Sequence, residues 1–154
     1  MTESDVSVEI RSGPWDSVAI EGFLGSAVIP MRLATQGSSG PLVQSLWFLF
    51  DGSALWCCTQ HDSVVATRLR KDARCAFEIA RDAPPYRGVR GRGTASLDPE
   101  PAADLLERLI ARYLADRDSS LAAWLRTRVV DEVAVRIDTL SVSSWDYSSR
   151  MDRR

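Results

Sequence analysis

The sequence is poor in the residues from which metal sites, thiol catalysis and disulfide frameworks are built. It holds one histidine, His61, and three cysteines, Cys57, Cys58 and Cys75. No Cys-x-x-Cys pair occurs, so a structural zinc centre is not expected and no metal ligands are assigned. An odd number of cysteines, two of them adjacent, makes a poor disulfide framework. Reduced thiols and a cytoplasmic location follow as expectations. The simplest role for all three is as small apolar side chains on strands. A catalytic thiol would need a histidine partner; His61 is near in sequence, but nothing else supports that chemistry.

Net charge is also nearly absent. Nineteen Lys and Arg oppose 21 Asp and Glu, leaving −2. No overall field draws the chain to nucleic acid or to an anionic membrane, and neither partner is expected. The longest apolar runs, such as residues 46–50, are far too short to cross a bilayer. Residues 1–5 are polar and acidic, so no signal peptide is expected. No strand–helix unit carries Gly-x-Gly-x-x-Gly in the right place, which disfavours a dinucleotide-binding fold. Internal repeats and long linkers are missing too. What remains is one soluble domain of 154 residues, 45% apolar, with room for a real core.

Residues 1–19 read as an N-terminal arm whose Ile10 and Trp15 could pack on the body, and residues 20–151 as a single domain. Residues 27–34 form an apolar, partly β-branched strand interrupted by Pro30. A turn at 36–41 leads to a second strand at 42–50. Asp51-Gly52 lies between two strand-like runs, the strongest short hairpin signal a sequence offers. Residues 54–59 then complete a three-strand meander. Asp62-Ser63 caps a short helix to about Arg70, with Val65, Ala66 and Leu69 on one face. Strands follow at 74–80 and at 87–97, the second marked by Gly88, Gly91 and Gly93. Asp98-Pro99 opens a helix whose stripe is Leu105, Leu106, Leu109, Ile110 and Tyr113. Ser119-Ser120 opens another, with Leu121, Trp124 and Leu125 on one face. Residues 132–143 alternate as a final strand. Many strands with uneven helical insertions indicate an α+β barrel, not a parallel doubly wound sheet.

That order carries several recognisable segments. They are Ile29-Pro30-Met31-Arg32-Leu33-Ala34-Thr35, Leu46-Trp47-Phe48 and Ala54-Leu55-Trp56-Cys57-Cys58-Thr59. Further along come Asp62-Ser63, Leu69-Arg70-Lys71-Asp72, Pro85-Tyr86-Arg87-Gly88-Val89-Arg90-Gly91 and Trp145-Asp146-Tyr147-Ser148. Together they resemble the pyridoxamine 5'-phosphate oxidase-like family over residues 20–151. The resemblance implies a mostly antiparallel, Greek-key-like split β-barrel with flanking helices. It also implies a homodimer with cofactor sites at the subunit interface, binding FMN or the related deazaflavin, and in some members FAD or haem. Where the family has a basic pair after the serine matching Ser63, this chain has Val64 and Val65. The phosphate grip must then come from other cations, be weak, or be lost.

The candidate cofactor-binding residues follow from that match. Arg32, beside Leu33 on an apolar strand, is either a phosphate ligand or a partner for a local carboxylate. Ser45, Leu46 and Trp47 match the strand lining the flavin ring, with plain packing as the alternative for Trp47. Thr59, Gln60 and Ser63 lie where a strand ends and a helix begins, offering N–H groups and hydroxyls to an anion or merely capping the helix. Arg68, a turn along that helix, is the candidate to replace the missing basic pair, whereas Arg70 and Lys71 read as surface charge. Arg90 and Arg92 share a strand face while Arg87 points oppositely; the cluster could hold a polyanionic tail or pair with carboxylates across the dimer. Trp145 and Arg150 match a C-terminal tryptophan and arginine that approach the ligand in the family, or seal the barrel.

The expected activity is oxidoreduction of a small organic molecule by hydride transfer from FMN or deazaflavin, with no general acid or base evident in the sequence. The alternatives are a non-catalytic flavin or haem carrier and a barrel that has lost its cofactor.

Overall fold

Three helices begin on a side chain that closes their first turn. Asp16 accepts the N–H of Ala19 (2.9 Å), Ser63 that of Ala66 (3.0 Å) and Ser119 that of Ala122 (3.2 Å). Each satisfies a donor the helix itself cannot. The computed structural model describes residues 8–152. In chain order they form β1 (Glu9–Ser12), α1 (Ser17–Ser26), β2 (Met31–Thr35), β3 (Leu42–Leu46), β4 (Leu49–Phe50), β5 (Leu55–Gln60) and α2 (Val64–Lys71). There follow β6 (Arg74–Ala80), β7 (Arg87–Asp98), α3 (Ala102–Tyr113), α4 (Ser120–Thr127), a 3-10 turn Val129–Asp131, β8 (Glu132–Asp146) and the short α5 (Ser148–Met151).

The strands make one curled sheet in the order β3-β2-β6-β7-β8-β5-β4, and β1 adds to β8 in parallel. All the other pairings are antiparallel. Alternate residues point to the concave side, where Met31, Leu33, Leu55, Cys57, Ile79, Val135 and Ile137 are fully buried. Helices α1 and α2 add Ile20, Leu24, Val65 and Leu69 to that core. On the other side α3 packs Leu105 and Leu109 against Ala134 of β8, with Trp56 and Cys58 of β5 around them. This is an α+β split barrel, as the residue pattern leads one to expect.

Four local readings change. The run 42–50 is two strands, because the chain bends at Trp47-Phe48 and carries β3 and β4 to opposite edges of the sheet. The three-strand meander is therefore two separate hairpin pairings, β2 with β3 and β4 with β5. An apolar run hides such a break, since both halves are wanted in the interior. Asp98 ends β7 and accepts the N–H of Glu100 (2.9 Å), so the helix after it starts only at Ala102, with Pro101 at its cap. The stripe of α4 is not a core face: Leu121 and Trp124 are 44% and 51% exposed, and only Ala122 is buried. Within the arm, β1 pairs with β8 and α1 covers the core, with Trp15 packed on Phe23 (centroids 5.0 Å apart).

Candidate functional site

The candidate residues fall into three neighbouring places. The first is a cleft of about 700 Å³ between the β2–β3 loop and α2, lined among others by Gly37, Asp62, Val64 and Arg68. Thr59 and Ser63 lie next to it without lining it, and their hydroxyls are engaged with each other and the helix: Thr59 donates to Ser63 Oγ (2.7 Å), which in turn accepts the N–H of Ala66. Helix geometry leaves the N–H groups of Val64 and Val65 without a partner inside α2. Arg68 donates to the carbonyls of Thr35 (3.3 Å) and Gly40 (2.9 Å), so one arm of its guanidinium holds the loop. Val64 is 53% exposed at the point where the resemblance implies a cation. Arg70 donates to the His61 carbonyl, and His61 Nε2 stands 3.7 Å from Asp131.

The second place is the convex face of the sheet. Arg32 lies opposite Ser45 on one side and Glu78 on the other; Arg90 lies opposite Glu78 and Ser143; Arg92 opposite Ala76 and Ser141. Ser45, Ala76, Ser141 and Ser143 are small neighbours on this face, and the exposed Glu78 lies between Arg32 and Arg90. Arg32 donates to the Pro30 carbonyl (2.9 Å), and Arg90 stacks on Trp145 (5.3 Å to the centroid). Among the described residues neither these two nor Arg92 forms a salt bridge. A cleft of about 480 Å³ over Arg90 and Arg92 adjoins one of about 550 Å³ that also reaches Arg92 and Arg74. Arg74 borders the first cleft as well, so the three spaces form one run. Arg74 is neutralised by Asp72 (2.8 Å), whose carboxyl that hydrogen bond lowers to about 2. Leu33 is wholly buried, so only its main chain could meet a ligand. Arg150, on α5, stacks on Tyr147 (5.2 Å).

The third place is a pocket of about 260 Å³ beneath α4, lined by Ser45, Leu46 and Trp47 with Cys58, leucines of α3 and α4, and Glu132. Trp47 stacks on Tyr113 (5.0 Å, 5° between planes), and the Tyr113 hydroxyl donates to the Ile29 carbonyl (2.8 Å). Gln60 donates from Nε2 to Glu132 Oε1 (2.5 Å) and to the Arg128 carbonyl (3.3 Å). The structure thus joins Gln60 to Ser45, Leu46 and Trp47 through Glu132, a residue the sequence presents only as the start of a strand. Burial pushes the Glu132 carboxyl above its ordinary range, against the pull of Gln60 and of Arg128. Its only sequence signal is an acidic residue leading directly into Val133, Ala134 and Val135.

Two of the thiols are sealed, and Cys58 is half-buried. Cys57 and Cys75 are buried, and burial raises the Cys58 and Cys75 thiols to about 12. Among the described residues no cluster of His, Cys, Asp or Glu could hold a metal ion, and no helix is long and apolar enough to cross a membrane.

No protein-family profile matches the sequence, and no curated protein matches it. Solved structures do. A conserved hypothetical protein from Mycobacterium tuberculosis shares 26% identity with a TM-score of 0.75, over 92% of this chain and 91% of that one. An F420 reductase shares 22% identity at a TM-score of 0.67, over 80% of this chain and 94% of its own. A Listeria innocua protein provisionally named pyridoxamine 5'-phosphate oxidase shares 19% at 0.56, over 78% and 87%. The chain therefore shares the split-barrel fold of these proteins.

Proposed function

We propose that the protein binds a flavin-type cofactor, FMN or the related deazaflavin, and works with it as an oxidoreductase on a small organic molecule. The observation that carries this reading is the run of clefts from the start of α2 across the convex face, bordered by Arg90 and Arg92, with Arg32 on the same face; none of the three has an ion-pair partner among the described residues. Exposed guanidinia that form no salt bridge with the neighbouring Glu78 or any other carboxylate among the described residues suit a phosphate, so the residues present fit such a group. The similarity to an F420 reductase and to a protein provisionally named as an oxidase supports the same reading.

Within it, Arg32 and the free N–H groups at the start of α2 hold phosphate, with Arg68 contributing the donors its loop contacts leave over. Ser45, Leu46, Trp47 and Thr59 position the ring, while Arg90 over Trp145 supports the far side. The cofactor supplies hydride transfer; the protein supplies binding, orientation and exclusion of water. The resemblance adds a homodimer with sites at the interface, and the cysteine pattern a cytoplasmic setting, as parts of the proposal. Val64, exposed where a cation is expected, favours a second reading, a carrier that binds a flavin without catalysis.

The test is a titration of the purified protein with FMN and with the deazaflavin, followed by fluorescence quenching. Saturable binding at micromolar level or tighter supports the reading, and reduction of artificial acceptors then separates enzyme from carrier. Binding of neither overturns it.

A further inference from the structure

The pocket under α4 combines an apolar wall with a single charged group. Leu46 and Trp47 come from the end of β3, Leu106 from α3, Leu125 from α4, and Glu132 from the start of β8. Glu132 Oε1 takes the Gln60 hydrogen bond, but Oε2 is shut from water and accepts none among the described residues. A desolvated carboxylate oxygen without a donor is costly and is the group a ligand donor would satisfy. Arg128, the nearby cation, has its guanidinium 4.7 Å from the Trp124 ring and forms no salt bridge with Glu132. The outer wall can yield: α4 buries only Ala122 and leaves Leu121 44% exposed, so its leucines turn at little cost. At about 260 Å³ the space suits a molecule of one aromatic ring with a short arm.

We propose that this pocket binds a small organic ammonium ion, its hydrocarbon part against Leu46, Leu106 and Leu125 and its N–H donors on Glu132. The carboxylate selects the charge, and the leucines select an apolar body. As a binding site the pocket stands independently of any cofactor. As the substrate site, beside Ser45, Leu46 and Trp47, it rests on the flavin reading above.

Isothermal titration of the full chain, without cofactor, with benzylamine and with toluene tests it. Benzylamine binds saturably and more tightly than toluene, and Glu132→Gln weakens benzylamine by roughly tenfold or more, the worth of one charge-assisted hydrogen bond. Toluene affinity stays within about twofold in that variant, since the apolar wall is unchanged. Leu125→Trp fills the pocket and abolishes both; it decides the matter alone if the Glu132 variant fails to fold. Equal affinity for the two probes, no saturable binding, or benzylamine binding that survives either substitution overturns the proposal. Because no cofactor is in the cell, these outcomes are separate from the flavin titration, whose failure would remove only the substrate role.

Discussion

Arg68 lies directly over Gly37: a Cβ built on that glycine would stand 2.5 Å from the guanidinium carbon. The side chain crosses the glycine to reach the carbonyls of Thr35 and Gly40, pinning the β2–β3 loop to α2. Arg68→Ala is expected to lower stability in urea unfolding by about 1–2 kcal/mol, the worth of charged hydrogen bonds to a half-buried backbone. Gly37→Ala displaces the same arginine. The double variant is therefore expected to cost less than the sum of the singles, because both remove one contact. Additive losses would mean that the two residues act separately.

Arg32 is the opposite case, an exposed side chain with one backbone hydrogen bond. Arg32→Ala is expected to change stability by less than about 0.5 kcal/mol. Cofactor binding, followed by fluorescence, is expected to weaken by about 1.5–3 kcal/mol, or roughly 10- to 150-fold. An unchanged affinity would remove Arg32 from the site.

The Asp51-Gly52 turn gives a pH-dependent contribution. Burial alone would raise the Asp51 carboxyl, but hydrogen bonds from the Ala54 N–H, the Trp56 indole and Ser53 outweigh it and hold it below its ordinary 3.8. A lowered carboxyl stabilises the fold at pH values above 3.8, and that contribution is lost as the pH falls below it. Asp51→Asn is expected to cost about 1 kcal/mol at pH 7. It is also expected to flatten the acid limb of a stability–pH curve below 3.8. An acid limb as steep as that of the parent would show that other carboxylates carry it.

The three thiols are expected to be inert in the folded protein. Burial disfavours the thiolate in each, adding to the effect of Glu132 on Cys58. A chromogenic disulfide reagent at pH 8 should react slowly with the native protein and with all three cysteines in denaturant. Rapid reaction of one thiol in the native state would point to a reactive cysteine.

Some of this was legible in the sequence and some was not, for physical reasons that particular residues show. The Asp51-Gly52 turn, the Ser63 cap of α2 and the strand at 74–80 rest on local signals, and they stand where those signals put them. Helix α1 escaped because Gly22 and Gly25 dilute its pattern and Val18 faces water, 77% exposed. The bend at Trp47-Phe48 escaped because burial on both sides of it demands the same residue types. Arg68 could be read as a cation near the helix, but its attachment to loop carbonyls depends on where residues 35–40 pass. Glu132 carried almost no signal, since its interest lies in Gln60, 72 positions away, and in leucines from two helices.

The strand β8 borders β1, β5 and β7, yet it is the last of the eight to leave the ribosome. Until Asp146 has emerged, β5 and β7 have no common neighbour and each exposes an open edge. The nascent chain must hold these edges apart from the emergence of β7 until β8 is made, and a message cut short near codon 131 would yield a sticky fragment, not a smaller barrel.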